Sequence, residues 1–157
     1  MDVDQDSAGV KFAPPAAFIG TLVVGLALGK LLGSPDLPLN HATERGLGSL
    51  ATLLGVGIML SAVGLFRAAG TDPKPCKRST ALITDGVYRW SRNPMYFGMA
   101  LAYAGVAVWM DSLVTLLLLI PLLLVIQREV IEREELYLAG KFGERYLSYK
   151  SAVRRWI

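Results

Sequence analysis

The chain has 157 residues, of which 53% are hydrophobic and only 18% are charged, and its mean hydropathy is +0.44. Soluble domains usually carry about 25% charged residues, and their core helices are shorter than the apolar blocks found here. The composition excludes a soluble globular protein and predicts a small integral membrane protein with a single domain over residues 1–157. We expect no nucleic-acid partner, because no binding motif accompanies the net charge of +3.

The first half of the chain predicts two membrane helices. An apolar block from about residue 16 to 32 is followed by "GSPDLPLNHATERG", whose composition is typical of a loop. The second block, about residues 47–66, is long enough at 1.5 Å per residue to cross a hydrocarbon core of about 30 Å. Residues 1–11 are acidic and polar, and we expect them to be poorly ordered.

The third apolar stretch runs from Pro94 to Ile126 and contains one charged residue, Asp111. Such a stretch is too long for one span and short for two. A tight turn at Asp111-Ser112 would divide it into a hairpin of two short helices. The sequence therefore predicts an all-α, polytopic fold of about four transmembrane helices, two in residues 1–70 and two in residues 71–157, followed by a cytoplasmic C-terminal helix.

Lysine and arginine are distributed unevenly among the segments that flank the predicted spans. They number one before the first span, two around the first loop, six in residues 67–92, none in the hairpin turn and seven from residue 128 onward. Because positive residues favour the cytoplasmic side, residues 67–92, the tail and both termini are predicted to be cytoplasmic. We expect a prokaryotic-type inner membrane, and Cys76 would report the exposure of the 67–92 segment.

The tail after the hairpin has the periodicity of an amphipathic helix with an apolar stripe. Glu134 and Glu135 project from this apolar face. An unpaired carboxylate on a packing face is costly, so both are expected to have partners, whereas Glu129 and Glu132 are predicted to be solvated or paired with arginines. The stripe consists of Ile131, Leu138, Phe142 and Tyr149.

The segment "YRWSRNPMYFG" marks the start of the third predicted span. Proline suits the first turn of a helix and asparagine the position before it, so Asn93-Pro94 predicts a helix start. A helix N-terminus beside Arg92 is suited to bind an anionic group such as a carboxylate. Tyr88 and Tyr96 offer aromatic faces to a cationic or planar ligand. The alternative interpretation is an interfacial anchor without a ligand.

Two segments, "LITDGVYRWSRNPMYFG" and "EELYLAGKFGERYLSYKSAV", resemble the isoprenylcysteine carboxyl methyltransferase and phospholipid methyltransferase superfamily. The shared features are Gly-x-Tyr-Arg, Arg-Asn-Pro and Tyr-x-Gly, then paired glutamates before Phe-Gly and Tyr-x-x-Tyr. The resemblance implies S-adenosyl-L-methionine-dependent methyl transfer to a lipophilic acceptor at the cytoplasmic membrane face. It implies that the cofactor is bound by Thr80, Ala81, Leu82, Ile83, Tyr88, Arg92, Asn93, Pro94, Met95, Tyr96 and Glu134.

The sequence departs from the prenylcysteine enzymes of that superfamily at two positions. Asn93 stands where they have a histidine, and Val130 stands where they have an arginine that holds substrate. The resemblance therefore supports the cofactor better than it supports a prenylcysteine substrate. The resemblance also implies that Glu135 supports Glu134, and for an amine acceptor Glu135 or water would take the proton.

Two other functions compete with methyl transfer. Membrane sterol reductases have a related C-terminal core and use NADPH, and a non-enzymatic membrane scaffold would use the same residues only as interfacial anchors. No metal is predicted, because one histidine and one cysteine cannot form a Cys/His zinc site. The single histidine, His41, is interpreted as a solvated loop residue.

Overall fold

A computed structural model describes residues 5–157, and these residues form helices and loops with no β-strand. A short 3₁₀ helix precedes the third α-helix, and a π-helical turn joins the fourth to the fifth. The predicted all-α class is therefore confirmed for the described residues. The elements are α1 (Pro14–Leu32), α2 (His41–Ala68), the 3₁₀ helix (Gly86–Arg89), α3 (Pro94–Trp109), α4 (Leu113–Ile126), the π turn (Gln127–Ile131), α5 (Glu132–Phe142) and α6 (Glu144–Ala152).

Three helical stretches within residues 5–157 are long and apolar enough to cross a membrane. They are α1, α2 and the continuous stretch from the start of α4 to the end of α5, and α3 is a shorter apolar helix. Leucine and valine side chains on α1, α2 and α4 are exposed on their outer faces. Lipid would cover these faces, which are far more apolar than the surface of a soluble protein. The composition and helices therefore agree on an integral membrane protein.

Glycines bring α2 and α3 into direct backbone contact. A Cβ atom built on Gly55 would lie 2.5 Å from the Gly98 carbonyl oxygen and 2.5 Å from the Ala102 nitrogen. At Gly48, a Cβ atom would lie 2.7 Å from the Gly105 carbonyl oxygen. Small residues permit this close approach between membrane helices, where dispersion contacts rather than water exclusion drive association. The α2–α3 pair holds the start of α3 against the end of α2.

Substituting alanine at Gly55 should therefore destabilise the fold, whereas the same change at Gly57, in the same helix, should not. The Gly55 methyl group would overlap backbone atoms, and overpacking of this kind costs about 1–3 kcal/mol. Gly57 faces open space, so alanine there should stabilise helix α2 by about 0.5–1 kcal/mol. Thermal unfolding in detergent, followed by circular dichroism, checks this. Equal unfolding temperatures for the two variants would contradict the packing described.

The α3–α4 hairpin turns where the sequence predicts it. Helix α3 ends at Trp109, Asp111 adopts a left-handed backbone with φ of 49°, and α4 begins at Leu113. The Ser112 hydroxyl accepts a hydrogen bond from the Thr115 amide at 3.3 Å and caps α4. The Tyr103 hydroxyl donates to the Thr115 carbonyl at 2.9 Å and joins the two arms. The turn thus lies at the end of the bundle opposite the start of α3.

Helix α2 begins earlier than the sequence analysis predicts, so the second half of the predicted loop is helical. The Asn40 side chain accepts a hydrogen bond from the Thr43 amide at 2.9 Å, which caps the helix, and Glu44 lies in the first turn. His41 is therefore the first residue of α2, and its interpretation as a loop residue is wrong. The segment was predicted to be a loop because its composition is polar, although its second half starts a helix.

The C-terminal tail is not one helix. Helix α5 ends at Phe142, Gly143 adopts a φ of 54°, and α6 then begins at Glu144. The apolar stripe predicted to run from Ile131 to Tyr149 is therefore divided between two helices. Glycine readily adopts a positive φ, so Gly143 ends the helix although the apolar periodicity continues past it.

The N-terminal segment is packed against the helices rather than poorly ordered as predicted. Val10 is buried with 1% of its surface exposed and joins the core with Phe18 and Tyr103. Asp6 pairs with Lys141 of α5 at 2.6 Å. The part of the prediction that concerns residues 1–4 lies outside the described residues.

Candidate functional site

A cleft opens at the end of the bundle where α2 ends and α3 begins. The cleft is narrow, with a cavity volume of about 70 Å³, and it opens to solvent. Its walls come from the segment after α2, the 3₁₀ helix, the first turn of α3, and helices α5 and α6. Both motifs singled out in the sequence therefore meet in one cavity.

Glu135 of α5 forms the centre of a buried ion-pair network beside the cleft. Arg155 donates two hydrogen bonds to its carboxylate, from Nε at 2.8 Å and from Nη2 at 3.0 Å. Lys150 Nζ lies 3.1 Å from one carboxylate oxygen and Arg92 Nη1 lies 3.1 Å from the other. The hydrogen bond to Glu135 raises the pKa of the Arg155 guanidinium, which therefore stays charged. The partner predicted for Glu135 is confirmed.

The start of α3 is held by the C-terminal residues of the chain. The Arg92 amide donates to the Arg154 carbonyl at 3.0 Å, and Asn93 Nδ2 donates to the Arg155 carbonyl at 3.0 Å. The Ser91 hydroxyl reaches the same Arg155 carbonyl at 3.3 Å. Asn93 precedes the helix as predicted but its side chain makes no capping hydrogen bond, because it binds the C-terminal backbone instead.

Four buried polar atoms on the cleft wall lack a hydrogen-bond partner among the described residues. They are the hydroxyl oxygens of Tyr88 and Tyr96 and the Nε and Nη1 atoms of Arg92. Arg92 lies close to Glu135 and Tyr146, and the Tyr96 hydroxyl lies close to Glu134, but these approaches lack the geometry of a hydrogen bond. Nearly all buried polar groups in proteins are hydrogen-bonded, so a convergence of unsatisfied groups on one cavity indicates a ligand site.

Glu134 lines the cleft beside Tyr88 and Tyr96. It is half-buried, and no salt bridge to it is formed within the described part of the chain, in contrast to its neighbour Glu135. Burial, together with the Glu134 carboxylate, raises the pKa of the Tyr88 phenol, which is therefore protonated at neutral pH. The cleft thus presents the Glu134 carboxyl group beside the Tyr96 hydroxyl, the neutral phenol of Tyr88 and the buried guanidinium of Arg92.

Aromatic residues that the sequence analysis did not assign to the cofactor site form much of the remaining wall. The Phe66 ring lies 5.7 Å from the Tyr88 ring, and the Tyr146 and Tyr149 rings lie 6.2 Å apart. The Tyr149 hydroxyl donates to the Tyr88 carbonyl at 2.7 Å and ties α6 to the 3₁₀ helix. Phe66 belongs to an apolar membrane block in the sequence, and nothing there distinguishes it from its neighbours.

The predicted site residues divide into those that the fold brings to the cleft and those that it does not. Thr80 is exposed and does not line the cleft, because its amide donates to the Thr71 hydroxyl at 3.0 Å. Pro94 does not line it either, because its side chain is fully buried at the start of α3. The others all line the cleft: Ala81, Leu82, Ile83, Tyr88, Arg92, Asn93, Met95, Tyr96, Glu134 and Glu135.

These features define a helical membrane protein with a cleft at one end of its bundle. The sequence profile of the family described as "Phospholipid methyltransferase" matches residues 43–145, about two thirds of the chain. This range includes α2, the start of α3 and both glutamates of α5. The chain belongs to the phospholipid methyltransferase family, and is a membrane methyltransferase by that membership.

Two curated proteins are similar to parts of this chain. An uncharacterized protein of Haemophilus influenzae is 40% identical over 63 residues, which is 40% of this chain and 100% of that protein. Protein-S-isoprenylcysteine O-methyltransferase of Schizosaccharomyces pombe is 33% identical over 72 residues, which is 46% of this chain. The aligned part is only 30% of the yeast protein's length. No solved structure matches this chain significantly.

Proposed function

We propose that the cleft binds S-adenosyl-L-methionine and that the protein uses it to methylate a lipophilic acceptor at the cytoplasmic membrane face. The observation that carries the proposal is the group of unsatisfied buried atoms on Tyr88, Arg92 and Tyr96. Family membership supports the methyl donor, because methyltransferases of this class use S-adenosyl-L-methionine. When bound, this cofactor supplies a methyl group already activated by a sulfonium.

The donor set of the cleft fits the polar groups of that cofactor. Its carboxylate would lie at the first turn of α3, whose side chains provide no cap, and beside the buried guanidinium of Arg92. The Glu134 carboxylate is available for the ribose hydroxyls or the amino group. Tyr88 and Tyr96 can donate hydrogen bonds from their unsatisfied hydroxyls and offer ring faces to a cation.

A second cavity supports a lipophilic acceptor. It lies between the start of α1, Val63 of α2, residues 73–77 and the start of α3, and its volume is about 490 Å³. Pro14, Val63 and Met99 contribute to its largely apolar wall. Met95 and Tyr96 line both this cavity and the cleft. Pro73, Lys74 and Pro75 also line both, so an acceptor in the second cavity would lie next to the cofactor cleft.

The residues of the cleft align two molecules and exclude water, which is what an in-line methyl transfer requires of a protein. A carboxylate acceptor would need no base. Glu135 was a candidate base for an amine acceptor, but Arg155, Lys150 and Arg92 surround its carboxylate. Three cations make it a weak base, so its contacts assign it to positioning Arg92 and the C-terminus rather than to proton transfer.

Ligand-dependent unfolding tests the cofactor directly. S-adenosylhomocysteine at a concentration far above its dissociation constant should raise the unfolding temperature of the purified protein, because it binds only the folded state. NADPH at the same concentration should have no effect. A shift with NADPH alone would favour the reductase alternative, and no shift with either would favour the scaffold.

The carboxylate contact can be isolated with a decarboxylated analogue of S-adenosylhomocysteine. We expect the native protein to bind this analogue at least tenfold more weakly than the parent, because a charge-assisted contact contributes about 1.5–3 kcal/mol. In an Arg92→Ala variant the difference between the two ligands should shrink, since interacting partners are not additive. Calorimetry on two ligands and two proteins measures the coupling. Equal affinities of both ligands for the native protein would mean that the helix start at Asn93-Pro94 does not bind the cofactor carboxylate.

The distribution of lysine and arginine supports a cytoplasmic cleft. Testing this orientation requires engineered cysteines. Cys76 is buried with 1% exposed, so it would not react with a thiol reagent in the folded protein and cannot report the exposure of the 67–92 segment as predicted. In a Cys76→Ser background, Ser148→Cys and Asp36→Cys place exposed thiols at opposite ends of the bundle. In right-side-out vesicles an impermeant maleimide should label the Asp36 variant at once and the Ser148 variant only after lysis. The reverse pattern would overturn the orientation.

A further inference from the structure

A group of three potential metal ligands lies at the end of the bundle opposite the cleft. His41 is the first residue of α2, Glu44 follows one helical turn later, and Asp111 lies in the α3–α4 turn. One ligand atom from each lies within 4.8 Å of the other two. Helix α2 and the hairpin turn are far apart in the sequence, and only the folded bundle brings these side chains together.

Glu44 is the member of this group that has a buried oxygen atom without a hydrogen-bond partner among the described residues. It is 2% exposed, and its Oε1 atom is buried without a hydrogen-bond partner among the described residues. Its other oxygen, Oε2, lies 2.9 Å from His41 Nδ1. Leaving a buried carboxylate oxygen unsatisfied is expensive, and a second carboxylate nearby adds repulsion. A cation between the three side chains would remove both costs.

Apart from the contact between His41 Nδ1 and Glu44 Oε2, few contacts engage these three side chains among the described residues. Asp111 uses one oxygen, Oδ1, to accept a hydrogen bond from the Leu37 amide at 2.7 Å. No lysine or arginine of the described chain forms a salt bridge with Glu44 or Asp111. The His41 side chain is 86% exposed, so its imidazole can adjust to a ligand, and the group is open to solvent for metal entry.

We propose that His41, Glu44 and Asp111 bind a divalent cation of the zinc class through one imidazole nitrogen and two carboxylate oxygens. Mixed nitrogen and oxygen ligands suit Zn²⁺, whereas Ca²⁺ and Mg²⁺ prefer oxygen alone and more ligands. Water would complete the coordination. The ion fastens the start of α2 to the α3–α4 turn and is independent of the cleft, which lies at the other end of the bundle.

The test uses the full-length, untagged protein after treatment with a chelator, because a histidine tag would itself bind zinc. Adding Zn²⁺ should raise the unfolding temperature in a concentration-dependent manner, and Mg²⁺ at the same concentration should not. His41→Ala and Asp111→Asn should each weaken Zn²⁺ binding by at least tenfold in calorimetry. Asp36→Asn, an exposed carboxylate in the loop before α2, is the matched control and should bind Zn²⁺ like the native protein.

The remaining outcomes contradict the proposal. Unchanged Zn²⁺ affinity in the His41→Ala variant would overturn it, and this exposed residue can be replaced without disturbing the core. Loss of Zn²⁺ binding in a Cys76→Ser variant would place the ion at the thiol instead. No shift of the native protein with Zn²⁺ would show that Glu44 is satisfied by water or a proton.

Discussion

Glu134→Gln is expected to weaken binding of S-adenosyl-L-methionine by more than tenfold without destabilising the ligand-free protein. The Glu134 carboxylate lines the cleft, and no basic side chain of the described residues neutralises it. A charge-assisted contact of this kind contributes about 1.5–3 kcal/mol, and 1.4 kcal/mol is a factor of ten in affinity. Replacing the carboxyl group by an amide takes no salt bridge from the free protein. Calorimetry measures the affinity, and thermal unfolding without ligand measures the stability.

The matched control for Glu134 is Glu129→Gln. Glu129 is exposed, is paired with Arg133 at 2.8 Å and lies three residues before Glu132, where α5 begins. Glu132 is a poorer control, because its carboxylate approaches Arg155, which also binds Glu135. Exposed pairs contribute little, so Glu129→Gln should leave cofactor affinity unchanged. Equal small effects from Glu129→Gln and Glu134→Gln would make Glu134 an ordinary surface charge.

Glu135→Ala, in contrast to Glu134→Gln, is expected to destabilise the ligand-free protein strongly. The change leaves Arg92, whose side chain is only 9% exposed, without its carboxylate, and it releases Arg155 and Lys150. Breaking a buried ion pair by removing one partner typically costs about 3–5 kcal/mol. Because Arg155 also anchors Asn93 through its carbonyl, the start of α3 should loosen as well.

Glu132→Ala provides the comparison for stability. Its carboxylate is 44% exposed and lies 3.7 Å from Arg155, so its loss should change stability by about 0–1 kcal/mol. Chemical unfolding of detergent-solubilised protein gives both values. Similar losses for Glu132→Ala and Glu135→Ala would mean that the buried network around Glu135 does not hold the tail in place.

The membrane class, the hairpin turn and the location of the cleft could be predicted because they depend on local patterns. Long apolar blocks indicate membrane helices, and Asp111 is the single charge in an apolar stretch. Asn93-Pro94 marks the start of α3 because proline favours that position, although the asparagine side chain binds elsewhere. The pairing of Glu135 followed from its place on the packing face of a helix.

The parts that could not be predicted depend on contacts between residues distant in the chain. Arg155 holds Glu135 and Asn93, but nothing in the terminal "RRWI" distinguishes it from a solvated arginine. The meeting of His41 and Glu44 with Asp111 requires the folded bundle. The start of α2 was predicted as a loop because the segment is polar. The Thr43 amide donates a capping hydrogen bond to Asn40, and the helix begins there despite this composition.

Methyl transfer itself is the most direct measurement of the central claim. The purified protein is incubated with methyl-labelled S-adenosyl-L-methionine and a host lipid extract, and the label in the organic phase is counted and its product identified. We expect label in a lipid product, strongly reduced by Glu134→Gln and unaffected by Glu129→Gln. If the native protein binds the cofactor but no label above background enters the organic phase, the proposal of a lipophilic acceptor is contradicted.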